Sequence, residues 1–292
     1  MTLKTVARVT VSAVVLLVPG LVLAGAAGCS SDSPTPPPAA IPTGIAPTEA
    51  SGVPAPLADA YHATITRGTA RIRFNDQASF ASASGRKQIV SISGTGTVDF
   101  ANSTSQTVRD VAGGGRSEIL LIGPDLYQRR VPPADAPNST RWTRVVPGAG
   151  GNNSVTPGPG TTTQPGAGDA VALRVGFLSG ASTPVTTVGQ EAIDGVTTTH
   201  YTLSVNLDAA AAQGNISATT VEYYKGTLGT AIQPTEAWID AEGLVRQLRV
   251  TVASAGSDNG AGRSEIVRTV TYSDFGVPAR ITAPPADQIA PG

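Results

Sequence analysis

Apolar and polar residues alternate through most of the chain. Ala70-Arg71-Ile72-Arg73-Phe74 has a period of two. So do Val90 and Ile92 on one face against Ile89, Ser91 and Ser93 on the other, running on to Val98 and Phe100. This alternation predicts half-buried strands. Further strands are predicted at 104–111, 116–122, 125–131 and 141–146, with Gly113-Gly114-Gly115 and Gly123-Pro124-Asp125 as turn signals. A second set is predicted at 184–193, 197–207, 235–241, 244–254, 263–274 and 278–282. The spacing is too short for the helical crossovers that parallel strands need, so the pattern is an antiparallel meander.

Helical spacing interrupts the alternation twice. Leu57, Tyr61 and Ile65 fall at i, i+4 and i+8, which predicts a short amphipathic helix over 56–66. Val171, Val175 and Leu178 predict another over 169–179, with Asp169 as its N-cap. Ala209–Ala212 reads as a short helical turn, and 214–232 is ambiguous. The fold class expected is therefore α+β: a strongly curved antiparallel sheet with helices covering its concave face.

Three segments fall outside the pattern. Residues 1–28 begin with Lys4 and Arg8, carry no charge from Val9 to Gly28, and end in Ala24-Gly25-Ala26-Ala27-Gly28 before Cys29. A basic start, an apolar middle and a small-residue end describe a secretory signal peptide. Cys29 after Ala-Ala-Gly resembles the lipobox of bacterial lipoproteins, in which the thiol receives diacylglyceryl and becomes the first mature residue. Two other readings compete: an uncleaved anchor over Val9–Gly28, about the length that spans a bilayer, or an incidental thiol. Residues 29–56 form the second segment; eight prolines in the 27 positions of 30–56 read as a disordered linker. The third, 147–168, is rich in Gly, Pro, Thr and Asn and reads as a disordered insert. A single domain over 57–290 remains.

Composition removes several function classes. Without Lys4 and Arg8 the chain has 18 basic residues against 21 acidic ones, close to neutral. Nothing resembles the basic footprint of a nucleic-acid binder. A lone cysteine excludes an intramolecular disulfide framework and a Cys-cluster metal site. His62 and His200 have no partner at metal-ligand spacing, and no Gly-x-Ser-x-Gly elbow occurs. Ser84-x-x-Lys87, Ser257-Asp258-Asn259 and Lys225-Gly226-Thr227 imitate a penicillin-binding serine enzyme, but in the wrong order and with a scrambled lysine triplet. Gly94-Thr95-Gly96 lacks the helix that would follow a phosphate loop and reads as a bulge or bend.

The second half carries a denser signature. Val188-Gly189-Gln190-Glu191-Ala192-Ile193-Asp194-Gly195-Val196-Thr197 leads to His200-Tyr201, then Pro234-Thr235-Glu236-Ala237-Trp238-Ile239-Asp240-Ala241-Glu242-Gly243-Leu244-Val245. Tyr272-Ser273-Asp274-Phe275-Gly276 and Ala283-Pro284-Pro285 follow. This resembles the actinobacterial LppX/LprAFG lipoprotein family over roughly 57–290. The resemblance implies a LolA-like half-barrel that holds an acylated lipid or glycolipid between sheet and helices. The motif residues also have plain structural roles. Asp194-Gly195 and Glu242-Gly243 are hairpin turns that need positive φ, and Trp238 reads as a core anchor rather than a ligand-stacking residue.

The expectation is a non-enzymatic, cofactor-free lipoprotein. It would be anchored on the extracytoplasmic face of the cell membrane through Cys29 and would bind an amphiphile in an apolar cavity. Leu57, Tyr61, Val171, Val175 and Leu178 are its candidate lining, although each by itself reads more readily as ordinary helix-to-sheet packing. An interaction or sensor module of the cell envelope, on the same scaffold with a filled core, is the alternative. The sequence names no lipid and no protein partner.

Overall fold

The structure, a computed structural model, describes residues 48–50, 53–81, 87–113, 115–123, 125–132, 141–145, 171–254 and 264–290. The signal segment, Cys29, the insert at 147–168 and Asp169 lie outside the described residues. Among the described residues no helix is long and apolar enough to cross a membrane.

Among the described residues twelve strands make one sheet. They are β1 (Thr48–Ala50), β2 (Thr69–Ala81), β3 (Lys87–Asp99), β4 (Thr104–Val111), β5 (Gly115–Ile122) and β6 (Asp125–Val131), followed by β7 (Thr143–Val145), β8 (Ala181–Ile193), β9 (Val196–Asn206), β10 (Ile232–Asp240), β11 (Val245–Ser254) and β12 (Ser264–Ser273). Their order is β1-β8-β9-β10-β11-β12-β2-β3-β4-β5-β6-β7, with every neighbour antiparallel. The two predicted meanders thus join through β12 and β2, the last strand of one beside the first of the other. Asp194, at the tip of the β8–β9 hairpin, pairs with Arg73 of β2 at 3.0 Å. A flat sheet would hold β9 and β2 about 19 Å apart, so the sheet is strongly curved.

Local chemistry sets the turns. Asp194 and Gly195 both have positive φ, 49° and 82°, the backbone that a two-residue hairpin turn requires. At the β10–β11 turn the Asp240 carboxylate accepts from the backbone N–H groups of Glu242 and Leu244, and Gly243 has φ 78°. The register through Gly94 and Gly96 is unbroken on both sides. These glycines are therefore close-packing positions rather than a bulge: a Cβ on Gly94 would overlap the Val108 carbonyl oxygen and the Phe74 ring.

Helix α1 (Ala55–Ile65), a 3₁₀ helix (Val171–Gly180), α2 (Leu207–Ala212) and α3 (Ala218–Leu228) pack on one face of the sheet. Three expectations change here. Residues 171–180 wind as a 3₁₀ helix, not an α-helix. Residues 278–282 form no strand; the C-terminal segment instead crosses to β7, where Trp142 bridges Ile289. Within 29–56, Thr48–Ala50 form β1, which pairs with β8, and α1 begins at Ala55. The ambiguous stretch 214–232 holds α3, capped by the Ser217 hydroxyl on the Thr220 N–H and stopped by Gly229 at φ 72°.

Candidate functional site

The face under the helices is the larger apolar surface. Strand alternation turns Ile72, Phe74, Val98, Leu203, Val250 and Val270 to one side, and all are buried there. The helices supply the other wall. Leu57 of α1, Val175, Phe177 and Leu178 of the 3₁₀ helix, Leu207 of α2 and Tyr224 of α3 belong to the same buried cluster. Phe177 meets Tyr224 edge to face at 5.6 Å between ring centroids, a favoured aromatic geometry.

Of the five candidate lining residues, Leu57, Val175 and Leu178 are buried in this cluster and Tyr61 is half-buried at its rim. The side chain of Val171 lies outside the described residues. The Tyr61 hydroxyl donates to Asn215 Oδ1 at 2.9 Å, and partial burial raises its pKa. Buried Thr64 accepts from the Val245 N–H at 2.9 Å, so α1 is tied to the start of β11 by a hydrogen bond as well as by packing.

The 3₁₀ helix is the unusual part of this wall. Runs of this winding seldom exceed three or four residues; this one has ten. Side chains at i and i+3 eclipse in a 3₁₀ helix, so Val175 with Leu178 and Arg174 with Phe177 form two rows, all buried. Gly176 and Gly180 let it pass close to other backbone. A Cβ on Gly176 would lie 2.5 Å from the Asn215 carbonyl oxygen, and one on Gly180 would overlap that of Asn206.

Beneath this helix the apolar face contains charge. Arg174 pairs with Asp76 of β2 through both guanidinium nitrogens, at 3.2 and 3.1 Å, with its side chain 2% exposed. Arg268 of β12, directly opposite Asp76 in the register, is also buried and points at the Tyr224 ring and hydroxyl. Arg109 of β4 donates to Ser117 Oγ; desolvation lowers its pKa, with Asp76 pulling the other way. Burial pushes the Tyr272 hydroxyl well above the usual phenol range, against the opposing pull of Arg174. Sequence reading missed this cluster, although a signal was present. Asp76 stands in phase with Ile72 and Phe74, and Arg268 with Ile266 and Val270, charged residues at inward-facing positions.

The opposite face holds the motif residues Glu191, His200, Glu236 and Trp238. Trp238 is buried there, stacks on His200 at 4.1 Å between centroids, and donates its indole N–H to Glu191 Oε2 at 2.8 Å. The His200 ring nitrogens sit 2.9 Å from Glu191 Oε1 and 3.1 Å from Glu236 Oε2. The Glu191 pKa is lowered first by the Trp238 hydrogen bond and then by His200. Each polar atom of the Trp238–His200–Glu191 arrangement is engaged in holding β8, β9 and β10 together. His62, by contrast, is exposed on α1. Among the described residues no group of three or more His, Cys, Asp and Glu side chains is placed to hold a metal ion.

No family model matches the chain, and no curated protein matches it. Among solved structures, it is similar to the lipoprotein LppX of Mycobacterium tuberculosis, at 14% identity and a TM-score of 0.41, over 77% of this chain and 98% of that one. It is similar to LprF of Mycobacterium bovis at 14% identity and a TM-score of 0.40, over 78% and 95%. A LolA superfamily protein of Nitrosomonas europaea is similar at 13% identity and a TM-score of 0.30, over 77% and 93%.

Proposed function

We propose that the protein is an extracytoplasmic lipoprotein, held on the cell membrane through a diacylglyceryl group on Cys29, that binds an acylated lipid or glycolipid between its sheet and its helices. The observation that carries this reading is the cover over the large apolar face. It is made of short helices, and its centre is a ten-residue 3₁₀ helix. The hydrogen-bond geometry of such a segment is poorer than that of an α-helix, and long runs of it often mark hinges, which supports its moving aside to let an acyl chain replace Val175, Phe177 and Leu178 against the sheet. The chain would gain about 0.8 kcal/mol per buried CH₂ and would need no catalytic group. Leu57, Tyr61, Val171, Val175 and Leu178 are its proposed lining.

Native mass spectrometry of the mature chain tests this directly. A co-purifying mass in the lipid range, or stoichiometric uptake of an added diacylated lipid, is the expected result. A bare protein mass that ignores added lipid would overturn it. That outcome would favour the second reading, an interaction or sensor module of the envelope with a permanently filled core. The full burial of Leu57, Phe177, Leu178 and Tyr224 is what supports that alternative.

A further inference from the structure

Strand register sets the charge balance of the face beneath the helices. Through β2 to β6, β11 and β12, the residues in phase with Ile72 and Phe74 include Arg109, Arg130 and Arg268. Among the described residues of those strands, Asp76 is the one carboxylate in that phase. The 3₁₀ helix adds Arg174 from above, paired with Asp76. The described residues of the covering helices bring no buried carboxylate, since Asp59, Asp208 and Glu222 are exposed.

The arginines nearest Asp76 are withdrawn from water. Arg174 and Arg268 are 2% and 7% exposed, and Arg109 is half-buried. A single carboxylate balances one guanidinium charge, so positive charge is in excess in a place where charge is costly to keep without an opposite partner. The excess lies beside the apolar cover. Arg174 precedes Val175 in the chain and shares a row with Phe177, two of the side chains that an acyl chain would replace.

We propose that the ligand is an acidic amphiphile, with a phosphate or carboxylate head among Arg174, Arg268 and Arg109 and its acyl chains against the sheet. This rests on the lipid-binding reading and specifies the class of lipid. Guanidinium forks suit the oxygens of either anion, and the added negative charge offsets the excess. A neutral glycolipid is disfavoured because it would leave that charge buried and unbalanced. A small inorganic anion is disfavoured because it would replace none of the apolar contacts of the cover it has to displace.

A competition read by native mass spectrometry tests the proposal. The mature chain is offered equimolar dioleoylphosphatidylglycerol and dioleoylglycerol, which differ only in the head, and in parallel oleate with oleyl alcohol. The acidic member of at least one pair should be bound about tenfold or more over its neutral partner; which pair shows it tells phosphate from carboxylate. The preference should survive high salt, which screens surface charges far more than buried ones. Arg268→Met should reduce it to about twofold or less. Arg71→Gln, which removes an exposed charge from the other face of β2, should leave it intact. If Arg268→Met fails to fold, Arg109→Gln must still weaken the preference. Equal uptake within both pairs would overturn this inference while leaving the lipid-binding reading in place, and uptake of no lipid would remove both. A preference lost in high salt, one unmoved by both arginine variants, or displacement of the lipid by equimolar inorganic phosphate would also overturn it.

Discussion

Asp76 and Arg174 show what one side chain can decide in this protein. Arg174 is 2% exposed and its carboxylate partner 16%, so the pair is largely withdrawn from water. Removing one charge from such a pair leaves the other stranded, typically at a cost of about 3–5 kcal/mol. Asp76→Asn should therefore lower stability by that order in urea unfolding. Replacing both residues with apolar ones of similar volume should cost far less. The pKa of Glu191 is depressed chiefly by the Trp238 indole N–H. A depressed carboxyl adds stability above its unfolded pKa and loses it as pH falls through the folded value, so this contribution disappears in acid. Glu191 is about half exposed, which keeps the energy small, but the titration itself is readable. Trp238→Phe should move the Glu191 carboxyl back up toward its ordinary value in a carbon-detected NMR titration, and an unmoved midpoint would refute the assigned cause. Trp238 was legible from the sequence as a structural anchor. Its partners were not, because Glu191, His200 and Glu236 come from three strands whose mutual register no local pattern states.

At the scale of elements, alternation and turn chemistry carried most of the fold. Strands β4, β5 and β6 lie where the period of two put them, and α1 is displaced by one residue from the predicted 56–66. The winding of residues 171–180 was not legible. Val171, Val175 and Leu178 are spaced by four and then three, which an α-helix and a 3₁₀ helix both accept, and tertiary packing decides between them. The decisive contacts are at Gly176 and Gly180, where neighbouring backbone approaches too closely for a side chain. Gly180→Ala should accordingly cost about 1–3 kcal/mol, the usual range for overpacking, read as a lowered denaturant midpoint. A thermally unaffected variant would mean that this helix is not pressed against Asn206. The absent strand at 278–282 has a similar origin. β12 has β11 on one side and β2 on the other, so a following strand finds no open edge there. The segment crosses the sheet instead, and Ile281 and Ile289 pack with Leu120, Tyr127 and Trp142.

For the whole molecule, the sequence pattern foretold one curved antiparallel sheet with helices against it, but not how the halves meet. That junction is the β12–β2 pair, which joins residues nearly two hundred positions apart and leaves no trace in local periodicity. The N-terminal segment enters the sheet at its edge, where Thr48–Ala50 pair with β8. Residues 30–47 separate Cys29 from β1. Eighteen residues span at most about 65 Å even when fully extended. If Cys29 carries the lipid, this length limits how far the β1 edge of the sheet can stand from the bilayer. Anchoring would then rest on the acyl groups of one residue, since the chain is nearly neutral and offers anionic headgroups little overall attraction. Cys29→Ala should accordingly move the protein from the membrane pellet to the soluble fraction and abolish labelling by a fatty-acid analogue, with little change in its thermal stability. Persistence of both membrane association and label would assign the attachment to another residue. Persistence of the association alone would point to Val9–Gly28 as an uncleaved anchor.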